Sequence, residues 1–165
     1  LDYLILDLPP GTGDVQLTLS QKIPLDGAII VTTPNDIALA DVRKGADMFK
    51  KVETPLLGVI ENMSYMDIDG KLKVHATSWP DIELYINDEK ISLNNDMSFN
   101  LRFNLFKEGG GLSESQRLDI PFLGEIPYSN ELMRSIDSGK PIVFEDTESE
   151  IKNIFIELAK KVTLL

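Results

Sequence analysis

Short apolar runs alternate with helical segments in the first part of the chain. Residues 1–8, 27–33 and 56–60 are almost unbroken apolar runs, which are typical of strands buried on both faces of a parallel sheet. Between them, residues 14–21 and 37–52 carry apolar positions at helical spacing. The order strand, helix, strand, helix, strand predicts right-handed crossovers and an α/β fold with a doubly wound, mostly parallel sheet.

The same alternation returns near the end of the chain. The pattern predicts a short helix at residues 110–118, a strand at 121–126, a helix at 130–137 that stops at Gly139, and a closing amphipathic helix at 147–164. These elements are expected to complete the α/β domain.

The middle of the chain has a different pattern. Short alternating segments at residues 71–74, 81–86 and 98–106 indicate antiparallel hairpins. We therefore predict that residues 66–106 form a β-hairpin insertion. The predicted turns are at residues 69–70, 79–80 and 94–96. The aromatic side chains of the insertion are expected to form a small core, with an exposed binding face as the alternative; they are Trp79, Tyr85, Phe99, Phe103 and Phe106.

Composition narrows the possible functions. The chain has 165 residues, 42% of them apolar, which suits one globular domain. Its net charge of −11, from 16 basic and 27 acidic residues, argues against a nucleic-acid or anionic-membrane surface, since both need clustered Lys and Arg. It has no cysteine, so it offers no thiolate ligand for zinc or an iron-sulfur cluster.

The compartment and the extent of the chain are also expectations from the sequence. No apolar run approaches the roughly 20 residues that cross a bilayer, and no basic-then-apolar leader precedes the first predicted strand, so we expect a cytoplasmic protein. The chain opens at Leu1 directly in a strand pattern. We therefore expect further sequence upstream.

The most informative segment follows the first predicted strand and reads Pro-Pro-Gly-Thr-Gly at residues 9–13. An AAA-type phosphate loop would continue with Lys and then Ser or Thr, where this chain has Asp14 and Val15. A carboxylate there would repel a triphosphate by about 1 to 4 kcal/mol for each close pair of charges. The phosphate-loop interpretation is therefore rejected.

A second interpretation makes Asp7 a Walker-B-type aspartate. An acid at the carboxyl end of a buried strand can hold Mg²⁺ or its coordinated water, and a Gly-rich loop after it can act as a switch that senses the γ-phosphate. The alternative is that Asp7 caps a turn and the glycines only bend the chain. On spacing alone the two interpretations are even.

Four motifs in a fixed order add to this picture: DLPPGTGD at residues 7–14, VTTP at 31–34, ENMS at 61–64 and PFLGEIP at 121–127. Together they resemble the C-terminal part of the Mrp-type P-loop ATPases, which are MinD-like and ApbC-like iron-sulfur cluster carriers. The resemblance covers residues 1–66 and 106 to about 145.

This resemblance implies that residues 1–165 are the C-terminal part of one MinD-like P-loop ATPase domain. It also implies ATP and Mg²⁺ as cofactors, a [4Fe–4S] cluster as cargo, a homodimer, and apoprotein clients or scaffold proteins as partners, without nucleic acid or membrane. Asp7 would be the Walker B aspartate near the metal, and residues 11–14 the switch II loop. The implied catalytic residues are Asp7, Gly11 and Asp14. The implied nucleotide-binding residues are Pro10, Gly11, Thr12, Gly13, Asn62 and Pro127.

Asn62 and Pro127 would contact the adenine base in this interpretation. A carboxamide suits that role because it donates to and accepts from a base edge at once. The alternative for Asn62 is that it is an ordinary turn residue after a strand. For Pro127 the corresponding alternative, a purely structural role, is stronger still. Glu108 and the glycines at 109–111 likewise admit two interpretations, a phosphate nest or a flexible helix start.

Two departures from the family limit what is carried over. The chain contains no Gly-x-x-x-x-Gly-Lys-Ser/Thr loop, so by itself it is expected to bind ATP weakly or not at all and to be inactive as an ATPase. Where the family has a Cys-x-x-Cys pair after ENMSY, this chain has Met66-Asp67-Ile68-Asp69. Met66, Asp67 and Asp69 with His75 offer a harder metal site, although solvated surface is the favoured interpretation. A regulatory MinD-like ATPase or an interaction module without a cluster therefore remains the alternative function.

Overall fold

A parallel three-stranded sheet organises the structure, a computed structural model that describes residues 1–9, 13–73, 82–146 and 148–164. The strand order is β1–β2–β7, with β1 at Ala28–Thr32, β2 at Leu56–Asn62 and β7 at Phe122–Ile126. Both pairings are parallel, as predicted. β2 is the central strand of this sheet.

Five α-helices are found in the described residues. They are α1 at Asp14–Lys22, α2 at Asp36–Lys51, α3 at Gly110–Leu118, α4 at Asn130–Ser138 and α5 at Glu150–Thr163, with a 3-10 helix at Ile142–Phe144. Each of the five lies within a few residues of the predicted bounds.

Side-chain and glycine caps explain where these helices begin and end. The Asn35 side chain accepts a hydrogen bond from the Ala38 N–H at 2.8 Å and starts α2. Ser129 and Ser149 cap α4 and α5 in the same way. Gly139, at φ 67°, ends α4 in the left-handed conformation that glycine adopts without a Cβ penalty.

The core lies on both faces of the sheet, because successive strand residues point to opposite sides. On one face, Ile30 and Val59 pack with α2 and α3 through Ala46 and Leu118. On the other face, a second buried cluster joins the sheet to α5; it contains Leu123, Ile126 and Leu158, with Ile29 and Ile60 packed against it. The doubly wound α/β arrangement is thus confirmed.

The predicted strand at residues 1–8 is wrong. Residues 1–9 form no strand, and Ile5 is 88% exposed. A strand forms only where a neighbour takes its backbone hydrogen bonds, and no described strand pairs with this segment. β1 correspondingly has an open outer edge, where Val31 is 58% exposed.

The described part of residues 66–103 contains two small antiparallel sheets. β3 at Met66–Lys71 pairs with β6 at Ser98–Phe103, and β4 at Leu84–Ile86 pairs with β5 at Glu89–Ile91. We call the β3–β6 pair the ribbon. The antiparallel prediction is confirmed within this segment, whereas its status as an insertion relative to the family stays a prediction.

The predicted turn at 94–96 and the predicted strand start at residue 98 are confirmed, whereas other strands and turns in this segment differ from those predicted. The predicted turn at 69–70 lies inside β3, where the Phe99 ring covers Gly70 so closely that a Cβ there would be 2.2 Å from it. A hairpin turn occurs instead at Asn87 and Asp88, both with positive φ, and creates the unpredicted β5. Of the predicted segment at 71–74, Lys71 is the strand residue, and residues 74–81, including His75 and Trp79, lie outside the described residues.

The ribbon separates polar from apolar side chains. On one face Asp67 pairs with Arg102 and Asp69 with Asn100, and on the other Met66 faces Phe103 and Ile68 faces Leu101. The predicted aromatic core is wrong for three of its members, which are exposed: Tyr85 at 52%, Phe103 at 41% and Phe106 at 40%. Tyr85 lies in the β4–β5 sheet and Phe103 in the ribbon, and no other described element packs broadly against either small sheet.

Truncating Leu118, which is 5% exposed, tests the core between the sheet and α3. Leu118→Ala is expected to lower the free energy of unfolding by about 2 to 5 kcal/mol, since it removes buried methyl groups and leaves a cavity. Leu112→Ala in the same helix, at a position 43% exposed, is the matched control. Urea unfolding should separate the two; equal losses would contradict the packing described.

Candidate functional site at the carboxyl edge of the sheet

The carboxyl ends of three parallel strands meet along one edge of the sheet. The register pairs Thr32 with Glu61 and Asn62 with Ile126. The loop after β1, the end of β2 and the residues after β7 therefore lie side by side. Open α/β sheets bind their ligands outside this edge, so it is the candidate site.

Asn62 stands at the end of the central strand. Its side-chain oxygen accepts a hydrogen bond from the Met63 N–H at 3.0 Å, and Met63 has a φ of 55°. Asn62 is therefore the last residue of β2, and its side chain holds the bend that begins at Met63. Within the described residues its amide nitrogen donates no hydrogen bond, which leaves a donor at this edge; contact with adenine stays a prediction.

Pro127 lies at the same corner as Asn62. Backbone pairing continues beyond the strands, since the Ser64 N–H donates to the Ile126 carbonyl at 3.2 Å and the Tyr128 N–H to the Tyr65 carbonyl at 2.7 Å. The predicted pair is thus brought together. Pro127 is buried, which leaves its ring little surface for a ligand, and its contact with a base stays a prediction.

Glu61 is a buried carboxylate that the sequence analysis missed. It is 2% exposed, and its Oε2 accepts a hydrogen bond from the Gly111 N–H at 2.5 Å. Burial raises the pKa of the Glu61 carboxyl; the bond from Gly111 opposes this effect and Glu125 adds to it. A charged residue inside an apolar strand, immediately before Asn62, was the available signal.

The glycines at 109–111 are a helix start. Gly109, at φ 69°, is the N-cap residue of α3, and the carboxylate of Glu61 occupies the first turn. A negative charge is favourable there because it meets the positive end of the helix dipole. Of the two earlier interpretations, the helix start is confirmed, and the place of a bound phosphate is taken by Glu61.

Glu114 is a second buried carboxylate on α3, also missed from the sequence. It is 2% exposed and accepts hydrogen bonds from Arg43 Nε at 2.7 Å and Arg117 Nε at 2.6 Å. Burial alone would raise the pKa of Glu114, but the hydrogen bonds and charges of the two arginines outweigh it and lower the pKa. The ion pair with Arg43 ties α3 to α2.

The predicted phosphate-side residues are less completely described. Asp7 is exposed in the segment at residues 1–9, and Asp14 is exposed in the first turn of α1, which follows Gly13. Pro10, Gly11 and Thr12 lie outside the described residues. Gln16 Nε2 donates to the Pro9 carbonyl at 2.6 Å and joins the segment to α1.

The donor set suits Mg²⁺ in one respect. Asp7 offers one exposed carboxylate, and Mg²⁺ commonly takes one or two carboxylates together with water and substrate phosphates. The buried strand that was expected to place Asp7 is not formed, so its role at a metal stays a prediction. No group of three or more His, Cys, Asp or Glu side chains fit for a metal is found in the described ranges. The alternative site at Met66, Asp67 and Asp69 is likewise not assembled there, since Asp67 is engaged by Arg102 at 2.8 Å.

Comparison with solved structures identifies the class of protein. The chain aligns with the cell division ATPase MinD of Pyrococcus furiosus at a TM-score of 0.52 and 18% identity, covering 84% of this chain and 43% of that one. It aligns with a nucleotide-binding protein of Archaeoglobus fulgidus, solved in complex with ADP, at a TM-score of 0.58 and 32% identity, covering 90% and 52%. The fold is that of MinD-like nucleotide-binding proteins.

The family follows from the sequence comparison. Residues 1–78 and 89–163 match the ParA family model, described as the NUBPL iron-transfer P-loop NTPase. The chain belongs to this family, which confirms the resemblance read from its motifs. No helix among the described residues is long and apolar enough to cross a membrane.

Curated relatives carry related names. An iron-sulfur cluster carrier protein of Pseudomonas fragi is 41% identical over 159 residues, 96% of this chain and 46% of that protein. The iron-sulfur cluster transfer protein NUBPL of Mus musculus is 38% identical over 162 residues, 98% and 42%. The chain therefore spans less than half the length of these relatives.

Replacing Glu114 tests the buried ion pairs through pH. A carboxyl with a lowered folded-state pKa adds stability above its ordinary value of 4.5, and this stability is lost as the pH falls through the folded-state pKa. Glu114→Gln is expected to be about 1 to 3 kcal/mol less stable at neutral pH. The difference should shrink as the pH falls below 4.5 and through the lowered pKa of the folded state.

The control is Glu148→Gln at an exposed position. Urea unfolding at a series of pH values measures both variants. A stability gap for Glu114→Gln that is independent of pH would contradict the role given to its charge.

Proposed function

We propose that this chain forms the base-recognition side of the nucleotide site in a whole protein that hydrolyses ATP and carries iron-sulfur clusters. One observation carries the nucleotide assignment: Asn62 ends the central strand at the ligand-binding edge and keeps an amide donor there. Family membership and the names of the relatives support the carrier assignment.

Asp7 would bind Mg²⁺ or its coordinated water, and residues 11–14 would sense the γ-phosphate. The phosphate loop and its lysines would come from polypeptide outside this sequence, since no such loop occurs in it. Mg²⁺, when bound, neutralises charge on the phosphates. In this proposal the protein's own groups hold and orient the nucleotide.

The cluster would be cargo held by other ligands. Iron-sulfur clusters are held mainly by cysteine thiolates, and this chain has none. The thiolates would come from another part of the whole protein or from a partner. A homodimer, apoprotein clients and a cytoplasmic location belong to the same proposal.

A regulatory MinD-like ATPase without a cluster is the second candidate. The ribbon favours it, because the residues after Tyr65 form β3, and Asp67 there is bound to Arg102 instead of a metal. Such a protein would use the segment at 66–106 to bind a protein partner.

The role of Asp7 is tested in the full-length protein with the phosphate loop present. Asp7→Asn is expected to lower ATP turnover by about 10- to 100-fold, the usual effect of losing a group that orients a metal. Asp2→Asn, in the same exposed segment, is the matched control. Unchanged turnover in Asp7→Asn would contradict the assignment.

Iron retention separates the two candidate functions. The full-length protein is reconstituted anaerobically with iron and sulfide, desalted and assayed for bound iron and for ATP turnover. Both together support the carrier, and turnover without iron supports the regulatory ATPase. A protein that shows neither bound iron nor ATP turnover would contradict both candidates, and an interaction module would then be the remaining function.

A further inference from the structure

Glu61 and Asn62 are consecutive residues with different surroundings. Side chains alternate along a strand, so the two point to opposite faces of the sheet. Glu61 faces α3 and is bound to the Gly111 N–H. A buried carboxylate is costly unless it is hydrogen bonded, and the Gly111 N–H supplies that bond immediately before the candidate base-binding residue.

The contact between β2 and α3 is unusually close. A Cβ at Gly111 would lie 2.9 Å from the Glu61 Cβ, and a Cβ at Gly110 would lie 2.9 Å from the Pro34 Cα. The two glycines therefore let the first turn of α3 press against both β2 and the loop after β1. Three elements meet at this point on the carboxyl edge.

α3 provides a fixed support at this contact. Its buried Glu114 is bound to Arg43 of α2, and its Leu118 is part of the core. The middle and the end of α3 are thus held independently of Glu61. The hydrogen bond from the Gly111 N–H of α3 to Glu61 can therefore help to fix the end of β2.

The chain leaves the sheet directly after Asn62. The register between β2 and β7 shifts between Val59 and Ile60 and is regular from Ile60 to Asn62, and Met63 then turns the chain with a left-handed backbone. The side-chain bond of Glu61 therefore adds to the backbone pairing at the last residues before this turn.

We propose that Glu61 is a positioning residue for base recognition: its bond to the Gly111 N–H fixes the end of β2 and so orients the Asn62 carboxamide toward adenine. The inference rests on the proposed nucleotide site. In this proposal Glu61 contributes to a preference for ATP over GTP, although its own side chain does not contact the nucleotide.

The test compares ATP and GTP in the full-length protein. Glu61→Ala is expected to raise KM for ATP about tenfold, with kcat changed less than about twofold, and to reduce the preference for ATP over GTP, since uniform binding is lost. Glu61→Gln should keep both the KM for ATP and the preference for ATP over GTP near those of the unaltered protein, because its amide oxygen can still accept a hydrogen bond from the Gly111 N–H. A merely structural role would affect the two nucleotides equally.

Gly111→Ala is the second variant, for the case that Glu61→Ala does not fold. Its new Cβ would push against Glu61 while keeping the carboxylate, and we expect the same direction of change. Gly45→Ala in α2 is the matched control, because a Cβ added at Gly45 would have no neighbouring atom within 4 Å. An unaltered ATP preference in the folded variants would overturn the inference.

Asn62→Ala separates this inference from the function on which it rests. If Asn62→Ala leaves the ATP preference intact, base recognition by Asn62 itself fails. If Asn62→Ala abolishes the preference while Glu61→Ala and Gly111→Ala keep it, the nucleotide site stands and the role of Glu61 fails.

Discussion

The double pairing of β2 is the constraint on which the remaining structure depends. This strand is hydrogen bonded to β1 on one side and β7 on the other, and both of its faces are covered by the core clusters around Val59 and Leu123. A strand buried in this way has its register set by its neighbours. The loops that follow the three strands therefore come to one edge, where Asn62 and the residues after Ile126 can act together.

The two buried carboxylates reinforce this arrangement from α3. Glu61 connects the helix to the sheet, and Glu114 connects it to Arg43 of α2. Buried ion pairs add little net stability compared with well-packed apolar residues, because desolvation offsets much of their attraction. Their effect here is geometric: α3 is held at its first turn and near its middle, beside the candidate site.

Local sequence patterns predicted the elements whose formation depends on nearby residues. The period of apolar positions and the stop at Gly139 located the helices, and the apolar runs located β1, β2 and β7. Residues 1–8 have the same composition but form no strand, since strand formation needs a partner that local sequence does not provide.

The candidate site was predictable to a smaller extent. Asn62 and Pro127 were found through motif resemblance, and the structure brings them to one corner. Glu61 and Glu114 were missed because a carboxylate that is buried and paired has the same letter as one on the surface. Their partners, Gly111 and Arg43, are distant in the sequence, and the pairing appears only when the fold is known.

The ribbon leaves the domain and returns to it at a single point, because Met66 and Phe103 are direct partners in the β3–β6 ladder. A segment whose two ends adjoin can be lengthened, shortened or exchanged during evolution without moving the elements that flank it. The match to the family model is interrupted between β3 and β6, at residues 79–88. The sequence of this segment and that of the parallel sheet can therefore change at separate rates.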